Sequence, residues 1–402
     1  MRSMEIDRRT FLALAGAAIA QGVTPAIAQE DEALFLGARL NAGGFEAAVI
    51  DAGGRDRIVL PLQARGHSFA IDAPRRRAVA FARSPGRFAV AFSIDGKGEP
   101  VAFAPPHDRH FYGHGVFTAD GRLLLATEND FDAERGVTGL YDATAGFHRI
   151  GEFDAGGFGP HEVILLADGR TLCIANGGIL THPDYERVKL NLATMKPNLT
   201  YIDLETGDIL EQAELAPELH RLSIRHMTLD RYGAVWFGAQ YQGEDGARPP
   251  LVGRHRRGAS IELFPGPVAT LESLGNYIGS VATDLAGEII ATSSPRGGLS
   301  VFWDAATGRC LGERRLKDGC GLAPLARHRL LGTSGRGAIV RTGPRRIVRG
   351  CSRCGSGCSG MGQSSPSHLK DGRIPVFSDL PLATTALIFA PFSGRGETPH
   401  RR

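Results

Sequence analysis

The strongest constraint on the fold of this 402-residue chain is an internal repeat whose copies open on histidine. His114 begins HGVFTADGRLLLATEND, His161 begins HEVILLADGRTLCIANGG, His226 begins HMTLDRYGAVWFGAQYQG, and His67 opens an earlier copy, HSFAIDAPRRRAVAFA. Copies near Gly279 and Cys320 continue the pattern without the histidine. Each unit reads as four short strands: alternating apolar residues, a tight turn often carrying Asp-Gly, a second strand, then two more. Repeats of about 40–50 residues with four strands each are the mark of β-propeller blades. The expected fold class is therefore all-β, a seven-bladed β-propeller.

In a propeller the first strand of each blade lies innermost, against the central channel. A residue just before that strand sits at the channel mouth, so His67, His114, His161 and His226 are expected to converge although far apart in sequence. Converging neutral imidazoles are what a transition metal needs. A histidine in that position can equally lock the ring by bonding a neighbouring blade's backbone, and the sequence leaves both readings open.

The repeats overrule the two or three domains that the length suggests. An excess of glycine, 53 residues, suits a fold with many tight turns. A net charge of only +3, with no basic stripe carrying aromatics, gives nucleic-acid binding no support. Residues 1–28 read as a twin-arginine signal peptide: Asp7-Arg8-Arg9-Thr10-Phe11-Leu12, an apolar run from Phe11 to Ala20, and a small-residue cleavage site at Ala26-Ile27-Ala28. Cleavage after Ala28 and a periplasmic product without a membrane span are expected. Cys351, Cys354 and Cys358 form C-x-x-C-x-x-x-C, but Gly355 stands where c-type haem attachment needs histidine, so no haem is implied.

Strand-like runs between 34 and 62 look like a blade lacking its innermost strand. Full blades follow at about 67–104, 114–154, 161–215, 226–265 and 278–315, then a shorter one at 320–349. Propellers commonly close by having the C-terminus supply the missing strand, which removes exposed sheet edges. The expected domain thus runs from 34 to 349. Residues 350–402 read as a low-complexity, irregular tail of the kind a shifted reading frame would produce, with apolar runs such as TTALIFAPF only late in it.

Turns between first and second strands are short and share one face of the disk. The unusual loops fall on the other, where propellers place function. His110, Glu128, Asp130, Glu162, His182, Lys189, Arg225 and Gln240 are the binding-face candidates there. His110 and His182 add imidazoles, Glu128, Asp130 and Glu162 add hard oxygen, and Arg225 and Lys189 suit an anion. Glu162 follows His161 directly, so in a regular strand the two side chains would point apart. Asn129 reads as part of a solvated turn, and His107 and His255 as surface residues. The segment 176–198 lengthens its blade: 65 residues separate His161 from His226, against 47 for each earlier interval. Leu190 and Leu192 are candidate anchors for it, folded as a flap over the channel mouth with His182 near His161.

The segments FYGHGVFTADGRLLLATENDF, GPHEVILLADGRTLCIANGGILTHPD, KLNL and LSIRH resemble the twin-arginine-exported proteins of domain-of-unknown-function family 1513. The likeness covers about 34–345 and implies a periplasmic propeller associated with imelysin-type iron-uptake proteins. On that resemblance the expected role is an accessory in iron or other transition-metal acquisition, with iron or copper as the cofactor and an imelysin-type protein as partner. The histidine-opened repeat also resembles those of YVTN-type and lactonase-like seven-bladed propellers, and two other readings stand beside the first. One is a lactonase-like hydrolase or an oxidoreductase, with Glu128 or Glu162 as base and Arg225 holding an anionic substrate. The other is a scaffold for protein partners only.

Overall fold

The computed structural model describes residues 33–41, 43–185, 188–344 and, as backbone, 383–390. Alternating apolar residues and Gly- or Asp-bearing turns produce antiparallel sheets that stand around an axis as seven blades. The first blade has β1 (Leu34–Asn41), β2 (Gly44–Asp51) and β3 (Asp56–Leu62); the second has β4 (Gly66–Asp72), β5 (Arg77–Ala82), β6 (Ala89–Ser93) and β7 (Val101–Phe103). The third is β8 (Arg109–Phe117), β9 (Leu123–Asp130), β10 (Arg135–Asp142) and β11 (His148–Asp154). The fourth is β12 (Pro160–Leu165), β13 (Thr171–Asn176), β14 (Asn198–Asp203) and β15 (Ile209–Glu214).

The fifth blade comprises β16 (Leu222–Leu229), β17 (Val235–Tyr241), β18 (Val252–His255) and β19 (Glu262–Phe264), followed by a short helix, α1 (Val268–Ser273). The sixth is β20 (Ser280–Thr283), β21 (Ile289–Ser294), β22 (Leu299–Asp304) and β23 (Cys310–Arg315). The seventh has three strands, β24 (Gly319–Ala326), β25 (Arg329–Ser334) and β26 (Ile339–Thr342). One strand from the late tail, β27 (Ala383–Ala390), pairs antiparallel with β1 and becomes the first blade's innermost strand. First strands of successive blades touch all the way round, and β27 contacts both β24 and β4, so the ring is closed. The rest of 350–402, the signal-peptide segment and Cys351, Cys354 and Cys358 lie outside the described residues.

Seven apolar clusters hold the ring, each between two neighbouring blades. Strand β9 shows why. Leu123 and Leu125 pack toward the fourth blade while Leu124 and Ala126 pack toward the second. A strand covered on both faces becomes a continuous buried run, as all eight residues of β9 are. The short first turns hold themselves: the Asp168 carboxylate accepts the backbone N–H groups of Arg170 (2.9 Å) and Thr171 (2.8 Å). No helix among the described residues is long and apolar enough to cross a membrane.

Candidate functional site

Each site histidine lies inside a first strand, not just before it as the sequence suggested. The residues ahead of it, such as Arg109–Phe111 and Leu222–Ile224, still pair with the second strand. The pairing then slips at the site. His67 and Ser68 fall between the pairs Gly66–Ala82 and Phe69–Ala80, and His161 falls between Pro160–Asn176 and Glu162–Ala175. Tyr112, Gly113 and His114 are skipped in β8, and Arg225 is skipped beside His226 in β16. Such bulges bend the strand and re-aim side chains, here into the channel. The slip at His161 also ends the regular alternation that would have sent His161 and Glu162 apart.

The four imidazoles meet on the axis. Ring centres of His67 and His114 are 4.9 Å apart, His114 and His161 4.8 Å, His161 and His226 4.7 Å, and His114 and His226 5.4 Å. Glu162 joins them, with carboxylate oxygens 3.6 Å from His114 Nδ1 and 3.4 Å from His226 Nδ1. Its Oε2 also accepts the Met227 backbone N–H at 2.7 Å. Ligand-type atoms of His67, His114 and His161 lie within 4.8 Å of one another, as do those of His114, Glu162 and His226. Around an ion with ligands about 2.0–2.1 Å away, tetrahedral neighbours stand roughly 3.3 Å apart, so modest rotamer adjustment would close either set.

Burial, reinforced by neighbouring imidazoles, holds His67 and His161 well below the ordinary histidine range. His226 is lowered by burial as well, with Glu162 pulling the other way. Burial pushes the Glu162 carboxyl up, but His114 and His226 outweigh it and leave the group well below the usual range. The cluster therefore offers neutral ring nitrogens from His67 and His161 beside one carboxylate. His67 Nδ1, His114 Nε2 and His161 Nδ1 are buried with no hydrogen-bond partner among the described residues. Each such orphan costs about 1–3 kcal/mol.

The cluster forms a waist between two cavities. One, of about 580 Å³, lies on the long-loop face; His67, His161 and His226 reach it from below, with Arg225, Lys189 and Gln240 around them. The other, of about 490 Å³, has largely apolar walls and contains His114 and Glu162. The segment between β13 and β14 lines the first cavity through Ile179, Thr181, His182, Pro183 and Lys189. Its anchors differ from those expected: Leu190 is exposed, whereas Ile179 and Met195 are buried. Asn191 ties the base together, accepting the Leu180 N–H (2.7 Å) and donating to the Gly178 carbonyl (2.9 Å). An alternating apolar pattern could not reveal this, because the turns follow side-chain hydrogen bonds. His182 shares the cavity with His161 but belongs to neither ligand group; its ring stands edge-on to Phe131 at 5.2 Å.

His110 lines the same cavity, buried. Its Nδ1–H donates to the Phe111 carbonyl (3.1 Å) and its Nε2 accepts from Asn129 Nδ2 (3.1 Å). Asn129 also donates to the Thr181 carbonyl of the flap at 2.9 Å. Asn129 is thus a buried bridge, not a solvated turn residue, because β9 runs on through it and its amide has two acceptors. His255 is likewise buried, not a surface residue: it lies 2.7 Å from the Tyr201 hydroxyl and bonds the Ala259 carbonyl at 2.9 Å, whereas His107 is exposed. Glu128 and Asp130 lie outside both cavities. Glu128 is sealed beside Tyr141 and pairs with Arg149 at 3.0 Å; burial pushes its carboxyl up, against the pull of Arg149. Asp130 pairs with Arg109 at 3.0 Å and Arg135 at 2.9 Å. Their work is within the third blade.

Sequence reasoning missed Cys320, which fills the skipped position of β24 and lines both cavities. It opens its repeat as the histidines open theirs, and that was the available signal. Arg65, Arg83 and Arg296 were missed too; each sits in a loop with no repeat-wide counterpart.

Among solved structures, the chain is similar to Kuenenia stuttgartiensis hydrazine synthase: TM-score 0.59, 10% identity, 82% of this chain and 99% of that one. It is also similar to the Myceliophteria thermophila Cps50 (Swd1) β-propeller domain: TM-score 0.54, 13% identity, 81% of this chain and 97% of that one. At such identities the likeness concerns the fold alone. None of the curated proteins matches the chain. It belongs to the family described as Protein of unknown function (DUF1513), which it matches over residues 60–355.

Proposed function

We propose that this propeller binds a transition metal at the waist of its central channel and serves in periplasmic metal acquisition. The observation that carries this reading is the convergence of His67, His114, His161, His226 and Glu162, with three buried ring nitrogens lacking any partner among the described residues. Neutral imidazoles with one carboxylate suit a borderline ion such as iron, copper or zinc. A set of imidazoles that only locked the ring would each find a backbone partner; three of these do not.

The chain's twin-arginine motif and its family resemblance support export and a part in iron uptake beside an imelysin-type partner. Export is checked by sequencing the mature N-terminus, expected after Ala28, and partnership by co-purification with such a protein.

The deciding experiment uses protein purified without a polyhistidine tag. About one transition-metal ion per chain is expected on elemental analysis after reconstitution. Fe²⁺, Cu²⁺ or Zn²⁺ at about 100 times the Kd should stabilise the fold by about 2.7 kcal/mol. The double variant His161→Ala, His226→Ala should lose both effects. A metal-free protein whose melting ignores all three ions would refute the reading.

A further inference from the structure

The cavity above the histidines has a second chemistry that metal ligation does not use. Five cations line it, Arg65, Arg83, Lys189, Arg225 and Arg296, against the single acid Asp318. They come from loops and strands of different blades, so they surround the space and do not form one surface stripe. Arg225 stands beside the waist, one residue before His226 at the slip of β16. Its Nε is buried without a hydrogen-bond partner, and no ion pair satisfies it among the described residues. Arg225 is part-buried where it lines the cavity, and an unpaired guanidinium in such a place is ordinarily matched by a carboxylate or phosphate. Lys189 reaches the cavity from the flap, held by the Gln242 side-chain carbonyl, and Arg296 lies over the Tyr277 ring at 4.7 Å. Neither contact neutralises its charge.

We infer that this cavity binds a small polycarboxylate anion, with Arg225 and Lys189 as principal cationic contacts. Size and distribution select that class. A volume of about 580 Å³ falls within the roughly 300–1,000 Å³ of small-molecule pockets and exceeds what one inorganic phosphate fills. Cations dispersed around the rim reward a ligand with several separated negative groups. The anion would rest directly above the imidazole floor formed by His67, His161 and His226, so a metal could arrive as its carboxylate complex. The anion site stands on the cavity alone; only this coupling to a metal rests on the function proposed above.

The test is calorimetric titration of citrate into chelator-treated, tag-free full-length protein, with acetate and inorganic phosphate as parallel probes. Citrate should bind, acetate should bind at least about tenfold more weakly, and about 0.5 M salt should weaken citrate by a similar factor. Losing one charge-assisted contact should weaken binding about ten- to a hundredfold, in Arg225→Gln and in the exposed-flap variant Lys189→Gln alike. Lys189→Gln keeps the test valid should Arg225→Gln fail to fold. Three results would overturn the inference: no citrate binding, phosphate binding as tightly as citrate, or citrate affinity unmoved by Lys189→Gln and any folded Arg225 variant. Citrate binding in a wild type that takes no metal would leave this site standing and remove the metal reading.

Discussion

Replacing His110 by glutamine should remove a defined part of the protein's sensitivity to acid. In the fold this ring is buried, with its proton on Nδ1 facing the Phe111 carbonyl and its Nε2 accepting from Asn129. Burial lowers its pKa from 6.5 to about 4; the Phe111 carbonyl opposes the shift, while Arg87 and His182 add to it. Between those two pH values the unfolded chain binds the proton and the folded one does not. Stability from the neutral ring is therefore complete above about pH 6.5 and is lost as pH falls toward 4. At pH 5 the loss amounts to about 2 kcal/mol, and at pH 4 to about 3 kcal/mol. Glutamine can keep one donor and one acceptor but does not titrate. Denaturant unfolding of both proteins, with chelator present and pH stepped from about 7.5 to 4.5, isolates this term because other titrating groups cancel in the difference. The wild type should lose about 2 kcal/mol more than the variant by pH 5. Parallel curves would mean that the ring is not held neutral, and a steeper loss in the variant would reverse the sign of the argument.

Two further substitutions probe the waist. Gly113 has φ +105°, and a Cβ there would lie 2.5 Å from His67 Cδ2; Gly113→Ala should therefore cost about 1–3 kcal/mol and blunt thermal stabilisation by added metal, read by parallel melts. Unaltered stability and metal response would show that His67 is not wedged against that backbone. Glu162→Gln keeps an acceptor for the Met227 N–H but removes the cluster's negative charge, so metal affinity in a competition titration should fall by at least about tenfold. An unchanged affinity would exclude the carboxylate from the ligand set.

Much of the architecture was legible in the sequence because blades are local objects. Period-two alternation, Asp-bearing turns such as that of Asp168, and a recurring four-strand unit are written within single blades and need no distant contact to be read. The shared repeat position of His67, His114, His161 and His226 likewise placed them at the innermost strands, since strand order in a blade sets distance from the axis. Only ring closure decided which side chains meet. Glu162 faces His114 and His226 from neighbouring blades because β12 slips at His161, and no pattern in its own strand encodes that slip. Glu128, chemically as plausible a base, is sealed by Arg149 and Tyr141 of the next strands in its blade. The cationic cavity has the least local signature of all, because, of its arginines, only Arg225 stands at a repeat start, while Arg65, Arg83 and Arg296 come from loops that share no repeat. Periodic chemistry survives in one dimension; a cavity built from non-periodic loops exists only once seven blades have been bent into a ring.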